Sequence, residues 1–296
     1  MAAVQLEAGL VSVVVPCYNH APYVEECLAS VREQQYPAME ILVFDDGSRD
    51  GSADIIAPLA ERYGFYFRAQ KNQGLSRTLN DALTMARGEF VAPFASDDVM
   101  YPDRLQKQVE FLQAHPDVGI VSGQVTRIDE HGNEYRKQDE RPAKTRFLSF
   151  DDIFLGRSGR LAATGMLYRR TAIDEAGGFR DEIAVEDLYM QLRIAHAGWR
   201  LADTPDVVAR YRVHSSNTMR NTAFLYENIG RIYDDYREHP QYARVRRRYM
   251  NGMLLRAAGT DKQLARRIWH DMRWSDCNGR TLRGLWRLYF RKIRGR

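Results

Sequence analysis

The chain has 296 residues, 44% of them hydrophobic and 28% charged, with a net charge of +4. That length suits one large α/β domain with an appendage, or two small domains, and the composition is that of an ordinary globular protein and excludes a disordered or fibrous one. No apolar run approaches the roughly 20 residues that span a bilayer, MAAVQLEAGL lacks the basic start of a signal peptide, and Cys17, Cys27 and Cys277 show neither metal-ligand spacing nor an even count, so a cytoplasmic, reducing location is expected.

In chain order, VSVVV at 11–15 reads as a buried strand ended by Pro16, with a helix over about 22–34. ILVF at 41–44 is the continuous apolar run of a strand covered on both faces, and it ends on Asp45 and Asp46. Gly47 and Gly51 break it, Ser52 is placed to cap the helix ADIIAPLAERYG, and Gly64 closes that helix. FYFRAQ is a short strand, an Asn72-Gln73-Gly74 turn leads into the helix SRTLNDALTMARG, and EFVAPFASDD is a fourth strand running again into paired acids. Leu105, Val109 and Leu112 mark the apolar face of a helix ended by Pro116.

DVGIVSGQVTRID is strand five, HGN a turn, and KQDERPAKTRF, residues 137–147, a mobile loop. RLAATGMLYRRTAIDEAGGF gives a strand and a short helix closed by Gly177 and Gly178. AVEDLYMQLRIAHAG is a helix, WRLADTPDVVARYRVH a last strand pair, and the remainder is helical and basic. Strands alternating with helices over the first 115 residues predict an α/β fold with a mostly parallel sheet.

Three acidic pairs stand out: Asp45-Asp46, Asp97-Asp98 and Glu186-Asp187. The first two follow apolar strands, so both fall on the carboxyl edge of the sheet, where open α/β sheets hold ligands. Carboxylates converging on one edge repel unless a proton or cation lies between them, and a hard divalent ion shared with substrate phosphates is a common solution. Turn and cap roles fit each pair as well: Asp45-Asp46 in a Gly-rich turn, Asp97-Asp98 before one helix, Glu186-Asp187 before another.

VSVVVPCYNHAPYVEECLASV, EILVFDDGSRDGS, NQGLSRTLNDAL, GEFVAPFASDDVMYPDRL, TGMLYRRTAIDEAGGF and EDLYMQLRIAHAGWRL together resemble, in order and spacing, the inverting family 2 glycosyltransferases with a GT-A fold, over residues 10–215 or so. The resemblance implies a GT-A domain over 1–218, a Rossmann-like, mostly parallel central sheet flanked by helices, and it leaves a basic helical extension over 219–296. It implies an enzyme that moves a sugar from a UDP- or dTDP-sugar to a hydroxyl of a glycan or lipid-linked acceptor, in polysaccharide or lipopolysaccharide synthesis. Pro16 and Tyr18 then match the nucleotide-facing end of the first strand, and Asp46 the acid that contacts base or ribose. Asp97 and Asp98 match the DXD-type element, Asp97 reaching the donor ribose and Asp98 holding Mn²⁺ or Mg²⁺. Asp187 matches the general base with Glu186 beside it, and His214 a histidine of the late loop that approaches the diphosphate and is a second candidate metal ligand beside Asp98; a surface-loop histidine is the other reading of His214. Two positions depart from the pattern: Ala95 stands where many members have Asp, and Leu79 where Arg commonly precedes Asn80. A nucleotidyltransferase of nucleotide-sugar synthesis shares the architecture, but PCYNHAPYV lacks the glycines of its phosphate loop.

Residues 241–296 carry 16 Lys+Arg against 3 Asp+Glu, a net +13 that leaves −9 for the rest. Such a block points to an anionic partner. Nucleic acid is one candidate, though no nucleic-acid motif accompanies the block and none is expected as partner. Leu282, Leu285, Trp286, Tyr289, Phe290 and Ile293 recur on one helical face flanked by Arg283, Arg287, Arg291 and Arg294, the pattern of a helix lying on an anionic membrane, here the inner face of the cell membrane. Packing of that face against the protein itself fits the same spacing.

Overall fold

The computed structural model describes residues 5–134, 144–157, 161–215 and 221–290. Its contacts divide the chain into two units, Met1–Ser215 and Ser216–Arg296. The boundary expected at 218 falls in 216–220, outside the described residues.

The first unit opens with β1 (Glu7–Cys17), α1 (Val24–Arg32), β2 (Met39–Asp45), α2 (Ser52–Tyr63), β3 (Tyr66–Ala69), α3 (Leu75–Leu83) and β4 (Gly88–Pro93). It continues with β5 (Val99–Met100), α4 (Arg104–Ala114), β6 (Val118–Ile128), β7 (Arg146–Leu148), α5 (Phe150–Phe154), β8 (Met166–Arg169), α6 (Arg170–Ala176), α7 (Glu186–His196) and β9 (Arg200–Arg212). The sheet order is β3-β2-β1-β4-β8-β6-β9-β5, with β7 also on β9. β1 runs parallel to β2 and β4, β2 to β3, and β6 to β9, while β8 is antiparallel to both its neighbours. The order therefore reverses at β1/β4, which is the crevice where such sheets hold ligands. Val11, Val13 and Val15 of β1 share a core with Cys27, Leu28 and Val31 of α1 and with Leu105, Val109 and Leu112 of α4. Each such Leu or Val contributes about 1.5–3 kcal/mol on burial, which fixes the strand ends that carry the polar groups.

Several local expectations are corrected. Pro16 does not end β1. Val14 turns its carbonyl to β4, so by alternation Pro16 faces that side too, and the β4 ladder stops at Val14, where a missing N–H costs no bond. Ser52 is the first residue of α2 and not its cap; the Asp50 carboxylate holds both its N–H and its hydroxyl. Arg146 and Phe147 of the expected loop belong to β7, and 137–143 lie outside the described residues. The expected strand pair over 199–214 is one strand, β9. Ser122 pairs with Asp203 and Gln124 with Val207, so the extra residues of β9, Pro205 among them, bulge out of the ladder where no N–H is required.

The second unit is helical: α8 (Thr222–Asp234), α9 (Tyr242–Thr260), α10 (Lys262–Asp271) and α11 (Gly279–Phe290). Met250, Leu254, Ala257, Leu264, Ile268 and Leu288 form its core. A Cβ on Gly284 would lie 2.8 Å from Leu254 Cγ, and Thr281 donates to Asn251 Oδ1 at 2.6 Å, so α11 lies close along α9 and runs in the same direction. Thr281, Gly284 and Leu288 form the buried face of α11, and Leu285 packs at its edge. Leu282, Trp286, Tyr289 and Phe290 are exposed; Arg291, Ile293 and Arg294 lie outside the described residues. Among the described residues no helix is long and apolar enough to cross a membrane.

Candidate active site

The turns after β1 and β2 are laced together. Asn19, at φ 56°, donates its N–H to Ser48 Oγ and accepts from the Arg49 N–H. His20 donates its N–H to Ser52 Oγ, and Ala21 donates to Asp50 Oδ2. Asp45 Oδ1 accepts the Ser48 N–H at 2.9 Å, the turn role open to it, while its buried Oδ2 has no hydrogen-bond partner. These bonds hold the His20 backbone at the β1/β4 crevice. Pro16 is the penultimate residue of β1, and Tyr18, just beyond it, is 48% exposed.

Asp46, expected at the base or ribose, is 5% exposed and is bonded to the turn before α3. Its Oδ1 accepts from Gln70 Nε2 and the Gln73 N–H and its Oδ2 from the Gly74 N–H, all at 2.9–3.0 Å, and these bonds order the turn that launches α3. From α3, Ser76 donates to the Ile183 carbonyl and Asn80 bonds both backbone groups of Phe179. The segment leading to Glu186 and Asp187 is thereby tied to the loop that Asp46 orders. Leu79, where Arg is the commoner residue, is core.

After β4, Asp97 and Asp98 take different surroundings, and neither caps α4, whose N-cap is Asp103. Asp97 Oδ2 accepts from His214 Nε2 at 2.9 Å, and its Oδ1 lies 3.9 Å from His20 Nδ1. His20 Nδ1 is also 2.8 Å from Ser96 Oγ. Asp98, expected with His214 to hold the metal, is 1% exposed, and its oxygens accept from the Thr164 hydroxyl and the Arg212 N–H, both at 2.8 Å. Asp97, expected at the ribose, is the acid that meets the histidines. Burial pushes both carboxyls up; for Asp97 the His214 hydrogen bond and the His20 charge outweigh it and hold the group below its ordinary value, whereas for Asp98 the charge of Asp97 adds to burial and drives it well above. His214 is 6% exposed, which excludes the surface-loop reading.

His20, Asp97 and His214 each offer one ligand atom, and these atoms lie within 4.8 Å of one another. Two imidazoles and a carboxylate fit a divalent transition ion, and burial lowers the His20 pKa, which favours the neutral, ligating form. Such donors suit Mn²⁺ better than Mg²⁺, which prefers an all-oxygen shell.

Arg212 locks this corner from beneath. It is 1% exposed, donates from Nε to the Asp97 carbonyl at 2.8 Å, pairs with Glu26 at 2.5 Å and lies over the Tyr23 ring, which in turn packs on His214. Arg104, fully buried, donates to the carbonyls of Thr164 and Met166 and so fixes the residue that bonds Asp98. Sequence reading missed His20, Ser96, Thr164, Arg104 and Arg212. Only His20 left a signal, a ring three residues past the end of the first strand, whose carboxyl end lies on the same edge as the acids.

Glu186 and Asp187 open α7 as its first two residues, and Val185 is its N-cap, so neither is the capping residue. Desolvation first, and the charge of Asp187 second, push Glu186 up to about 8. Both acids also raise the buried Tyr168 hydroxyl of β8, after burial itself, which sets the pair beside the strand that follows Thr164.

Comparison with known proteins gives the family and the fold. The family model described as Glycosyl transferase family 2 matches residues 12–177. TuaG of Bacillus subtilis (strain 168), a glycosyltransferase whose name assigns it to teichuronic acid biosynthesis, is 39% identical over 234 residues, 76% of this chain and 90% of that one. S. aureus TarS 1–349, solved in complex with UDP-GlcNAc, superposes with a TM-score of 0.64 at 19% identity over 86% of this chain and 74% of that one. The mannosyltransferase PcManGT from Pyrobaculum calidifontis, solved with GDP-Man and Mn2+, gives a TM-score of 0.60 at 21% identity over 93% and 87%. The fold is thus that of GT-A glycosyltransferases, with a helical C-terminal extension.

Proposed function

Because the chain belongs to glycosyl transferase family 2, we propose that it transfers a sugar with inversion from a UDP- or dTDP-sugar to a hydroxyl of a glycan or lipid-linked acceptor, in the assembly of a cell-surface polysaccharide or lipopolysaccharide. The observation that carries this reading is the meeting of His20, Asp97 and His214 where the strand order reverses, with Glu186 and Asp187 on a segment tied to the same edge. The nucleotide complexes of TarS and PcManGT support a nucleoside diphosphate sugar as donor, and the name of TuaG supports a polysaccharide pathway.

In this reading the nucleoside lies against the turns after β1 and β2, near Pro16 and Tyr18. Asp46 shapes that wall through residues 73–74. Asp97, His214 and His20 would hold Mn²⁺, which would supply the positive charge that offsets the charge building on the leaving diphosphate. Asp98, buried between Thr164 and Arg212, holds the turn that aims Asp97. Asp187 takes the proton of the acceptor hydroxyl as the new bond forms, and one base with one displacement inverts the anomeric centre. Glu186 supports it. The enzyme works at the inner face of an anionic membrane, where a lipid-linked acceptor is presented.

Asp187→Asn tests the assignment. UDP binding stays within about threefold of wild type, while transfer falls by roughly 10²–10⁴, as for a lost general base. Transfer at the wild-type rate removes Asp187 from the mechanism.

A further inference from the structure

Beyond the catalytic unit, the second unit carries a concavity of about 400 Å³ between α9 and α11, lined by Arg244, Arg247, Arg248, Arg280 and Arg283 together with Asn278. Among the described residues that line it none is acidic. Asp276 is close in sequence, but it is 2% exposed, accepts the Arg273 N–H and pairs with Arg246 at 3.2 Å. Arg244 donates to Gln241 Oε1 and Arg247 to the Ser275 carbonyl, neutral acceptors that leave the positive charge in place, and the N-terminal end of α11 adds its own positive dipole to the same place. A bound anion relieves both.

The rest of the exposed surface of α11 says what kind of anion. Arg280, Arg283 and Arg287 follow one another at spacings of three and four, and Leu282, Trp286, Tyr289 and Phe290 make a second strip alongside at the same spacings. Those four side chains are 70%, 59%, 58% and 77% exposed. A free phosphate satisfies the arginines and leaves the aromatic strip in water. A lipid surface takes both, with the rings at the headgroup level and the guanidiniums on phosphate oxygens in bidentate geometry.

We infer that the arginine-lined pocket between α9 and α11 is a headgroup site, which takes the phosphate of an anionic membrane lipid while the Leu282, Trp286, Tyr289 and Phe290 strip enters the interface. This rests on the membrane reading above and adds the site that carries it. It is independent of the nucleotide site: no residue of the pocket belongs to the first unit.

The test is cosedimentation of the full chain with vesicles of phosphatidylcholine alone and with added phosphatidylglycerol, beside calorimetry with inorganic pyrophosphate and, separately, with UDP. Wild type sediments with the anionic vesicles only. Arg280→Gln with Arg283→Gln lowers that partitioning about 30-fold, since each basic residue at an anionic surface contributes roughly fivefold. Lys262→Gln with Arg266→Gln removes the same charge from α10 outside the pocket and costs less than about a tenth of that. Trp286→Ser with Phe290→Ser also abolishes sedimentation, and all three double variants bind UDP as wild type does. Equal loss in the two charge variants, or wild-type partitioning by Arg280→Gln with Arg283→Gln, overturns the pocket assignment while leaving a membrane partner standing. Absence of vesicle binding by wild type overturns both, and tight pyrophosphate binding without vesicle binding makes the site one for a free anion.

Discussion

At the scale of single residues, the two adjacent acids after β4 are expected to differ completely. Asp97 shares its oxygens with His214 and His20, whereas Asp98 is enclosed by Thr164 and Arg212. Asp97→Asn therefore removes the Mn²⁺-dependent part of UDP binding, by at least about 100-fold in metal affinity, because even partners one shell further out cost 10–100-fold. Asp98→Asn keeps that dependence, since an amide can still accept a bond at the same place. Calorimetry with UDP, with and without Mn²⁺, separates the two, and the opposite ranking returns the ligand role to Asp98. The sequence shows two carboxylates at a strand end and nothing more. Which one turns to the histidines depends on Arg212, 114 residues beyond Asp98, and such a contact leaves no local pattern.

Glu186 offers a second test at this scale. It titrates at about 8 in the fold against 4.5 for its ordinary value, so the folded state binds its proton more tightly than the unfolded chain does. Stability from this group is complete below about pH 4.5 and is lost as pH rises through 8, the sign that follows when the native state holds the extra proton. Glu186→Gln cannot ionise. Its melting temperature should converge with that of wild type near pH 4 and exceed it by about 3 °C or more at pH 8.5, on the order of 1 kcal/mol for a chain of this size. An offset that is constant across pH means the carboxyl is ionised throughout.

At the scale of elements, β6 and the turn before β8 meet through glycines. A Cβ on Gly165 would lie 2.7 Å from the Gly123 carbonyl, and the next residue back is Thr164, which bonds Asp98. Gly165→Ala must push the turn off β6, at a cost of about 1–3 kcal/mol for overpacking, and it moves Thr164 with it. Lower thermal stability together with weaker Mn²⁺-dependent UDP binding is the expected pair of results; lost stability with unchanged binding would detach Thr164 from the site. The helices and parallel strands of the first 115 residues are legible because each buries a periodic or continuous apolar face. What escaped was decided by pairing: β5 and β7 are two and three residues long and exist only because β9 is there to receive them. β9 itself looks like two strands because Pro205 interrupts its pattern, and only the ladder with β6 shows that the interruption is a bulge.

At the scale of the whole molecule, the charge is divided: +13 over 241–296 and −9 before it. The helical face at 282–290 was legible as amphipathic, but the spacing alone left open whether it packs inward or stays outside. Gly284 and Leu254 decide it, because close approach of α11 to α9 buries the Thr281, Gly284 and Leu288 side and leaves the aromatic strip out. Two kinds of electrostatics should then be separable in one preparation of the full chain. Attraction of exposed arginines to an anionic surface is screened over about 10 Å at 0.1 M salt and about 4 Å at 0.5 M, whereas ligation at the buried Asp97 and His214 is screened much less. Raising NaCl from 0.1 to 0.5 M should lower partitioning onto phosphatidylglycerol vesicles by roughly tenfold or more, while UDP affinity in the presence of Mn²⁺ changes by less than about threefold. If both fall together, the basic extension contributes to nucleotide binding and the two units do not act separately; if vesicle binding resists salt, the aromatic strip and not the arginines holds the chain to the membrane.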